Sequence, residues 1–228
     1  MIAKQNECDF YKCFINKLAS KAGVDKIDKE KQTHIFKKGA VIFKEGEETK
    51  GIYFLLEGCV KIHKEWGKDK ELILHFNKSG DIFGYRGMGD ETIYPITATV
   101  LMESKIAFIS LAFFNKLLLE DHTLTLHFLK FHLNELRTAE KRMRDLALMD
   151  VKGRIADTLL MLQSRFGIEG DGFIRIKLKR QDLAYYAGTT YETFFRTIVE
   201  LSKEGAILTE DKNFKIINSA LLESYCRI

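Results

Sequence analysis

Short apolar runs separated by glycine turns fill the chain from His34 to Ser110. The runs have the length and the β-branched and aromatic content that are typical of strands. They are IYFLLEG (52–58), VKIHKEW (60–66), ELILHFN (71–77), ITATV (96–100) and KIAFI (105–109). Turn signals fall before and between them, at Lys38-Gly39, Glu45-Gly46, Glu57-Gly58, Gly67-Lys68-Asp69 and Ser79-Gly80-Asp81. This regular spacing predicts an antiparallel barrel or a jelly-roll-like sandwich.

After Ser110 the pattern becomes helical, and residues 111–166 contain no proline and one glycine, Gly153. Apolar residues recur at spacings of four, three, seven and three, and these are Leu129, Leu133, Leu136, Met143 and Leu146. Such spacings place them on one stripe of a helix over much of 123–148, which would be about 40 Å long. Two interpretations stay open: the stripe is the seam of a homodimer, or it packs on the chain's own barrel.

The last third, residues 151–228, has an α+β pattern. We expect a helix near 151–166, a glycine-rich turn over 167–172 and a strand over 173–178 (FIRIKL). Two further helices, over 180–188 and 190–205, meet at Gly188, and the hairpin strands ILTE and FKII flank Asp211-Lys212-Asn213. A small residue in a tight turn between two helices is the requirement of a helix-turn-helix, and the hairpin would be its wing. A short helical pattern also surrounds Phe14, Leu18 and Val24 near the N-terminus.

Composition agrees with a globular protein that has a substantial core. Of the 228 residues, 46% are hydrophobic and 30% are charged, and there is one proline. The sequence has no apolar run of the ~18 residues that span a bilayer, and the N-terminal stretch has no signal-like apolar segment, so we expect a cytoplasmic protein without a membrane partner. The net charge of +4 is mild and permits an acidic partner. The four cysteines are expected to be reduced thiols.

The start of the second predicted helix carries polar side chains opposite its apolar stripe of Phe194, Ile198 and Leu201. These polar residues are Thr189, Thr190, Tyr191, Glu192 and Arg196. Their types can reach base edges and phosphates in DNA. Five cations and two anions lie between Phe173 and Arg196, which gives this segment a net charge of +3. The pattern alone fits DNA binding and also fits an ordinary helical hairpin with a solvated face.

Four collinear stretches resemble the Crp/Fnr family of bacterial transcription regulators. Residues 39–62 (GAVIFKEGEETKGIYFLLEGCVKI) and 79–84 (SGDIFG) resemble its cyclic-nucleotide-binding-like β-roll. Residues 149–162 (MDVKGRIADTLLML) and 178–207 (LKRQDLAYYAGTTYETFFRTIVELSKEGAI) resemble its hinge and its winged helix-turn-helix. The resemblance implies an effector-sensing β-roll over 1–120, a long dimerisation helix over 121–148 and a winged helix-turn-helix domain over 149–228. It also implies a homodimeric regulator that binds a near-palindromic DNA operator and contacts RNA polymerase.

The resemblance assigns roles to individual residues of the DNA-binding segment. Arg180 and Gln181 match the family's residues at the head of the first helix, where a phosphate contact is expected. Glu192 and Arg196 match its recognition-helix acid and arginine, which suit a cytosine amino group and a guanine edge. Tyr191 and Phe195 depart from the small or charged residues common there, and Lys179 replaces the usual hydroxyl cap.

The residues with which cyclic-AMP-responsive members of the family contact the nucleotide are missing from this chain. Members that respond to cyclic AMP have a glutamate after the cassette glycine, whereas Gly84 is followed here by Tyr85. Their Arg-Ser pair aligns with Tyr94-Pro95, and their Thr-Ser pair on the long helix aligns with Ala139-Glu140. Because a buried phosphate needs a cation or several aligned donors, we expect cyclic AMP not to bind. A surviving pocket would take an apolar or aromatic ligand, or none, and its candidate residues are Gly84, Tyr85, Arg86, Met88, Tyr94 and Thr97.

Cysteine and histidine spacings give no support for a metal cofactor. An oxygen-sensing iron–sulfur cluster of the FNR type uses four cysteines, three of them close together near the N-terminus. Here Cys8 and Cys13 are close, while Cys59 and Cys226 are far away, so we do not expect this cluster. Cys8 and Cys13 are either a redox pair or plain reduced thiols. The six histidines (34, 63, 75, 122, 127 and 132) show no metal-binding spacing, and the cofactor stays unidentified.

The sequence contains no nucleophile elbow, P-loop, HExxH motif or supported pair of carboxylates, so we do not expect an enzyme. A β-roll joined to a catalytic partner would have such motifs within residues 111–228. The hypothesis is therefore a transcription regulator controlled by an unidentified effector or redox signal. The alternative is a ligand-binding module that regulates a protein partner without DNA.

Overall fold

The computed structural model describes residues 20–67 and 70–227. Contacts within the chain divide it into two compact units, one comprising Met1–Trp66 and Leu74–Leu136, the other Gly67–Ile73 and Arg137–Ile228. The sequence-based division after residues 120 and 148 stays a prediction. The N-terminal helical pattern at Phe14 and Leu18 lies outside the described residues, as do Cys8 and Cys13.

The first unit is built on an antiparallel sheet with helices before and after it. Its helices are α1 (Lys21–Glu30) and α2 (Leu111–Glu120), and its strands are β1 (Gln32–Phe36), β2 (Val41–Phe43), β3 (Gly51–Trp66), β4 (Lys70–Lys78, from Leu74 onward in this unit), β5 (Ile82–Phe83) and β6 (Thr97–Ser110). The strand order is β1-β6-β3-β4, with β2 paired to β6 and β5 to β3. This confirms the antiparallel β-roll.

The predicted turn at Glu57-Gly58 is wrong, because β3 continues through it as one strand. The register between β3 and β6 shifts on either side of Glu57, which marks an irregularity of the bulge type. Gly58 has a φ of 103°, and a Cβ there would come within 2.1 Å of Ser104 Oγ and 2.7 Å of the Glu103 carbonyl oxygen. The runs at 52–58 and 60–66 therefore form one strand, and those at 96–100 and 105–109 form most of β6.

Two buried clusters hold the first unit together. One includes Phe54 of β3, Phe114 of α2 and Phe128 of the long helix α3 (His122–Leu148). The other lies among the strands and includes Phe43 and Tyr94. The β-roll therefore presents one apolar layer to its helices and keeps a second between its own strands.

The start of α3 is tied to the start of α1 by one carboxylate. Asp121 accepts hydrogen bonds from the Ser20 backbone N–H (2.9 Å), the Ser20 hydroxyl (2.7 Å) and the Leu124 backbone N–H (3.0 Å). Partial burial opposes the charge, but these donors outweigh it and hold the pKa of Asp121 below its usual value. The helix then runs unbroken through the boundary between Leu136 and Arg137.

The second unit is mainly helical and ends in a small hairpin. Beyond the last turns of α3 its elements are α4 (Val151–Phe166), α5 (Arg180–Ala187), α6 (Tyr191–Lys203), β7 (Ile207–Glu210), β8 (Asn213–Ile216) and α7 (Ser219–Tyr225). Helix α4 packs against α5, α6 and α7. Its core contains Ile155, Leu159, Leu183, Phe194, Ile198 and Leu222, each at most 2% exposed. This confirms the helix-turn-helix with its wing.

The predicted strand over residues 173–178 is wrong. Phe173 and Ile174 are adjacent in sequence and both buried, so the segment lacks the alternation of a half-buried strand. The Ile174 backbone N–H donates to the Phe214 carbonyl (2.8 Å), and Ile174 forms a single bridge with Ile168. The segment therefore makes isolated backbone contacts with Ile168 and Phe214 and does not pair with a neighbouring strand over several residues.

In the part of the chain that the structure describes, none of the helices has both the length and the apolar character required to cross a membrane.

Candidate nucleic-acid interface and effector region

Gly188 forms the tight turn between α5 and α6, as the sequence predicts. It adopts the left-handed conformation with φ 63° and ψ 44°, which costs other residues free energy. The next backbone N–H, of Thr189, donates to the Ala184 carbonyl (3.0 Å). A Cβ on Gly188 would lie 2.6 Å from Leu146 Cδ2, so the glycine also permits close packing against the end of α3.

Helix α6 has one buried and one exposed face, because its apolar residues recur at helical spacing. Phe194, Ile198 and Leu201 are 0%, 2% and 0% exposed. The opposite face presents Glu192 and Arg196, and Tyr191 is exposed in the first turn beside Glu192. The structure thus brings together three of the predicted DNA-contacting side chains on one accessible surface.

The two threonines before α6 lie in different settings. The Thr190 hydroxyl accepts a hydrogen bond from the Thr193 backbone N–H (3.3 Å) and so caps the helix. Thr189, in the turn, is half-buried. A capped N-terminus leaves α6 with a positive dipole end next to Glu192 and Tyr191.

Arg180, at the start of α5, is held by the wing. Its Nη2 donates to the Asp211 carbonyl oxygen (2.7 Å), and its guanidinium lies 5.6 Å from the Phe195 ring centroid and 5.9 Å from that of Phe214. Lys179 precedes α5 without a side-chain capping bond, as its replacement of a hydroxyl residue predicts. Arg180 is therefore oriented by the fold.

An open groove of about 770 Å³ surrounds Arg180. It is lined by Lys177, Lys179, Arg180, Gln181, Tyr191, Asp211, Lys212 and Asn213. Four cations and one anion make this surface positive, which suits a phosphate backbone. Gln181 thus lies where the sequence placed it, while Lys177, Lys179 and Lys212 were missed as site residues. The charge of the segment and the predicted hairpin turn were the signals that could have found them.

The apolar stripe of α3 is largely uncovered. Leu129, Leu133 and Leu136 in the first unit are 57%, 51% and 56% exposed, and Met143 in the second is 67% exposed. Leu146 differs, since it is half-buried with its Cδ2 against Gly188. Four of the five predicted seam residues therefore share an exposed apolar stripe, and the fifth packs under the helix-turn-helix.

Tyr85 and Arg86 of the β-roll contact the long helix. Gly84 leads into a short 3₁₀ turn, Tyr85–Gly87, in which Tyr85 is 6% exposed. The Tyr85 hydroxyl donates to Glu135 Oε2 (2.7 Å), and burial together with the Glu135 charge raises the pKa of Tyr85 well above its usual value. Arg86 Nη2 lies 3.3 Å from the same oxygen and 3.1 Å from His75 Nε2.

Tyr94 lies in the other cluster, among the strands, and Thr97 is a buried polar residue of β6. The Tyr94 hydroxyl donates to the Gly51 carbonyl (3.0 Å) and lies 3.1 Å and 3.2 Å from the backbone nitrogens of Lys50 and Gly51, which donate to it. Its ring stacks on Phe43 with centroids 3.8 Å apart. Thr97 Oγ1 accepts from the Glu45 backbone N–H (3.1 Å).

The expected effector residues are thus divided between two layers. Tyr85 and Met88 belong to the layer against α3, and Tyr94 belongs to the layer among the strands. Sequence reasoning missed Glu135 and His75, because nothing local marks an acceptor that lies 50 residues from Tyr85.

Of the four cysteines, Cys59 is buried and Cys226 is half-buried. Burial raises the pKa of the Cys226 thiol to about 11, which keeps it protonated at neutral pH. Over residues 20–67 and 70–227, no group of three or more His, Cys, Asp or Glu side chains is placed to hold a metal ion. The hypotheses for Cys8 and Cys13 stay predictions.

A β-roll followed by a long helix and a winged helix-turn-helix defines a class of DNA-binding regulators. Two family models match the chain, the cyclic nucleotide-binding domain over residues 33–121 and the Crp-like helix-turn-helix domain over residues 153–225. The chain belongs to the Crp/Fnr family of DNA-binding transcription regulators.

Individual relatives agree with this assignment. The anaerobic regulatory protein of Bacillus subtilis is 31% identical over 183 residues, which cover 79% of this chain and 76% of that protein. The cAMP-activated global transcriptional regulator Vfr of Pseudomonas aeruginosa is 28% identical over 180 residues, covering 76% of this chain and 84% of Vfr. These family matches are to regulators, so the chain is a regulator and not an enzyme.

Solved structures share the fold. FixK2 from Bradyrhizobium japonicum superposes with a TM-score of 0.78 at 21% identity, over 87% of this chain and 98% of FixK2. A CooA mutant from Carboxydothermus hydrogenoformans gives a TM-score of 0.76 at 17% identity, over 100% and 98% of the two chains.

Proposed function

We propose that the protein is a homodimeric, sequence-specific regulator that reads a near-palindromic operator and is controlled by a signal other than cyclic AMP. The observation that carries this proposal is the exposed start of α6, where Glu192 and Arg196 lie one turn apart above a buried apolar face. Two such helices in a two-fold dimer would enter successive major grooves about 34 Å apart. We include contact with RNA polymerase and a cytoplasmic location in this proposal.

Each side chain of the interface has a distinct role in this arrangement. Arg196 donates two hydrogen bonds to a guanine edge, and Glu192 accepts from a cytosine amino group. Because the two residues are four apart on a helix, they also orient each other. Arg180, Gln181 and Thr189 bind phosphates beside the positive groove, which fixes the register of the protein on the duplex.

Separate substitutions of two arginines test these roles. Operators would be selected from duplexes with a randomised centre, and binding measured by salt titration on operator and scrambled DNA. Arg196→Ala should cost about 1–3 kcal/mol on the operator and much less on scrambled DNA. Arg180→Ala should weaken binding to both alike and reduce the salt dependence. Equal losses on both duplexes for Arg196→Ala would make it a phosphate contact and move base reading to other residues.

The dimer rests on the exposed stripe of α3. An apolar stripe of this kind on a long helix is typical of a coiled-coil seam. Leu136→Glu combined with Met143→Glu should place like charges across the seam and give a monomer in analytical ultracentrifugation. The matched control combines Lys130→Glu with Lys141→Glu, whose exposed side chains lie about 120–160° round the helix from Leu136 and Met143, and it should remain a dimer. A dimeric Leu136→Glu/Met143→Glu variant would locate the interface elsewhere.

Control without cyclic AMP is supported by the carboxylate of Glu135. This anion lies against Tyr85 and Arg86, and it engages the one cation of the segment from Phe83 to Pro95. A cyclic phosphate brought to this place would meet Glu135 and gain no free positive charge. The residues predicted to line an effector pocket do not share one layer, so an apolar or aromatic effector would contact only the group at Tyr85 and Met88, and a redox signal is the other form of control.

A further inference from the structure

Two aromatic side chains on the exposed face of α6 have no role in its core. Tyr191 and Phe195 are 41% and 44% exposed, whereas Phe194 beside them is fully buried. Their ring centroids are 6.4 Å apart and their planes are inclined by 23°, so the rings lie nearly parallel. They form one apolar surface directly beside Glu192 and Arg196. We call these two residues the aromatic pair.

The surroundings of the aromatic pair indicate what covers it. Tyr191 lines the positive groove, and the Arg180 guanidinium lies 5.6 Å from the Phe195 ring centroid. The four cations of the groove beside Tyr191, one of which also lies near Phe195, suit a partner that combines negative charge with small apolar groups. The pair also lies within the Crp-like helix-turn-helix domain, beside Glu192 and Arg196, for which we propose base contacts. Both observations point to a DNA duplex as the occupant.

The major groove offers one apolar group at base edges, the C5-methyl of thymine. The other edges present hydrogen-bond donors and acceptors, which an aromatic ring would leave unsatisfied. A ring held against a row of bases therefore discriminates for thymine by burying its methyl and against other bases by desolvation. The Phe195 ring has no polar atom, so this selection is strongest there.

We propose that Tyr191 and Phe195 are specificity-determining residues that read thymine methyl groups next to the bases contacted by Glu192 and Arg196. This inference rests on the proposed placement of α6 in the major groove. It adds a base-sequence preference: each operator half-site contains thymine at one or two fixed positions beside the base pairs read by the polar residues.

Deoxyuridine substitution tests the proposal, since it removes the C5-methyl and keeps the Watson–Crick edge. Starting from the operator selected with the full-length protein, each dT of one half-site would be replaced by dU in turn. Affinities would be measured by fluorescence anisotropy at one fixed salt concentration. We expect a loss of about fourfold at one or two positions, the effect of exposing one buried methyl, and no change at the other positions.

A variant cycle assigns the methyl contact to its residue. With Phe195→Ala, the ratio of affinities for dT and dU at a sensitive position should fall to about one. Val199→Ala is the matched control, because Val199 is also apolar and 37% exposed but lies one turn further along α6. It should keep the full dT-to-dU ratio. The wild-type measurement on dU duplexes stands even if a variant loses all binding.

The possible failures of the two proposals can be told apart. If the selection yields no preferred sequence, both the proposed function and the thymine preference are wrong. If a preferred sequence emerges but every dU duplex binds as tightly as its dT parent, the aromatic pair does not read thymine, while the proposed function stands. A dT-to-dU ratio that is unchanged in both Phe195→Ala and Tyr191→Ala would likewise overturn the assignment to these residues.

Discussion

Tyr85 of the β-roll and Tyr191 of α6 are two tyrosines in candidate binding regions with opposite surroundings. Tyr85 is 6% exposed and donates its hydroxyl proton to Glu135, while Tyr191 is 41% exposed on a positive groove. The same contrast holds for Tyr94, whose hydroxyl bonds with the backbone of Lys50 and Gly51. In the β-roll the polar groups already form hydrogen bonds within the protein, so a charged ligand would find few available partners. The exposed cationic face of α6 can bind an anionic ligand directly.

The largest expected effect lies within the β-roll, at two of its glycines that differ in their surroundings. Gly58→Ala should destabilise the protein by about 3 kcal/mol or more, because it adds left-handed strain to a clash with backbone atoms of β6. Gly39→Ala, with the same sign of φ and open space around it, should cost about 1–2 kcal/mol. Urea unfolding of both variants gives the comparison. Equal losses of unfolding free energy in the two variants would show that β6 moves at the bulge to make room for the added Cβ.

Removing one hydroxyl from each region compares the two tyrosines directly. Tyr85→Phe should lower the free energy of unfolding by about 1–2 kcal/mol, because Glu135 loses a donor in a partly buried place. Tyr191→Phe should change it by less than about 0.5 kcal/mol, as expected for an exposed site. Thermal unfolding followed by circular dichroism measures both. An unchanged free energy of unfolding for Tyr85→Phe would mean that water replaces the tyrosine hydroxyl as the donor to Glu135.

The smallest expected effect is that of cyclic AMP on the β-roll. Titration calorimetry should detect no micromolar binding, and the thermal midpoint should not move on adding the nucleotide. Vfr of Pseudomonas aeruginosa, a cAMP-activated regulator, is the positive control. Micromolar affinity here, with a matching gain in operator binding, would contradict the contrast drawn between the two regions.

The architecture could be predicted from sequence, because strand-length runs and helical stripes report burial directly. Helix α6 shows why: the spacing of Phe194, Ile198 and Leu201 specifies its buried face, and the structure buries all three. The bulge at Gly58 could not be told from a turn, since both use a glycine with positive φ. The strand prediction for residues 173–178 failed because the segment has the composition of a strand, while its backbone makes only isolated hydrogen bonds and no continuous ladder.

The candidate sites divide in the same way. Glu192 and Arg196 are close in sequence and lie on one helix, so spacing alone places them together. Tyr85 and Tyr94 are also close in sequence, yet they lie in different buried clusters because the chain between them turns from one layer to the other. The Glu135 acceptor and the wing residues around Arg180 come from distant segments, which only the fold brings near.

The bond from Arg180 to the wing ends on a backbone carbonyl, that of Asp211. The side chain at this position is therefore free to vary so long as the backbone keeps its shape. Asp211 has a φ of 50°, a conformation that asparagine and glycine also accept and that β-branched residues resist. The tip of the wing can thus exchange an acidic side chain for a neutral one without releasing the arginine, so its charge can be retuned while its geometry is kept.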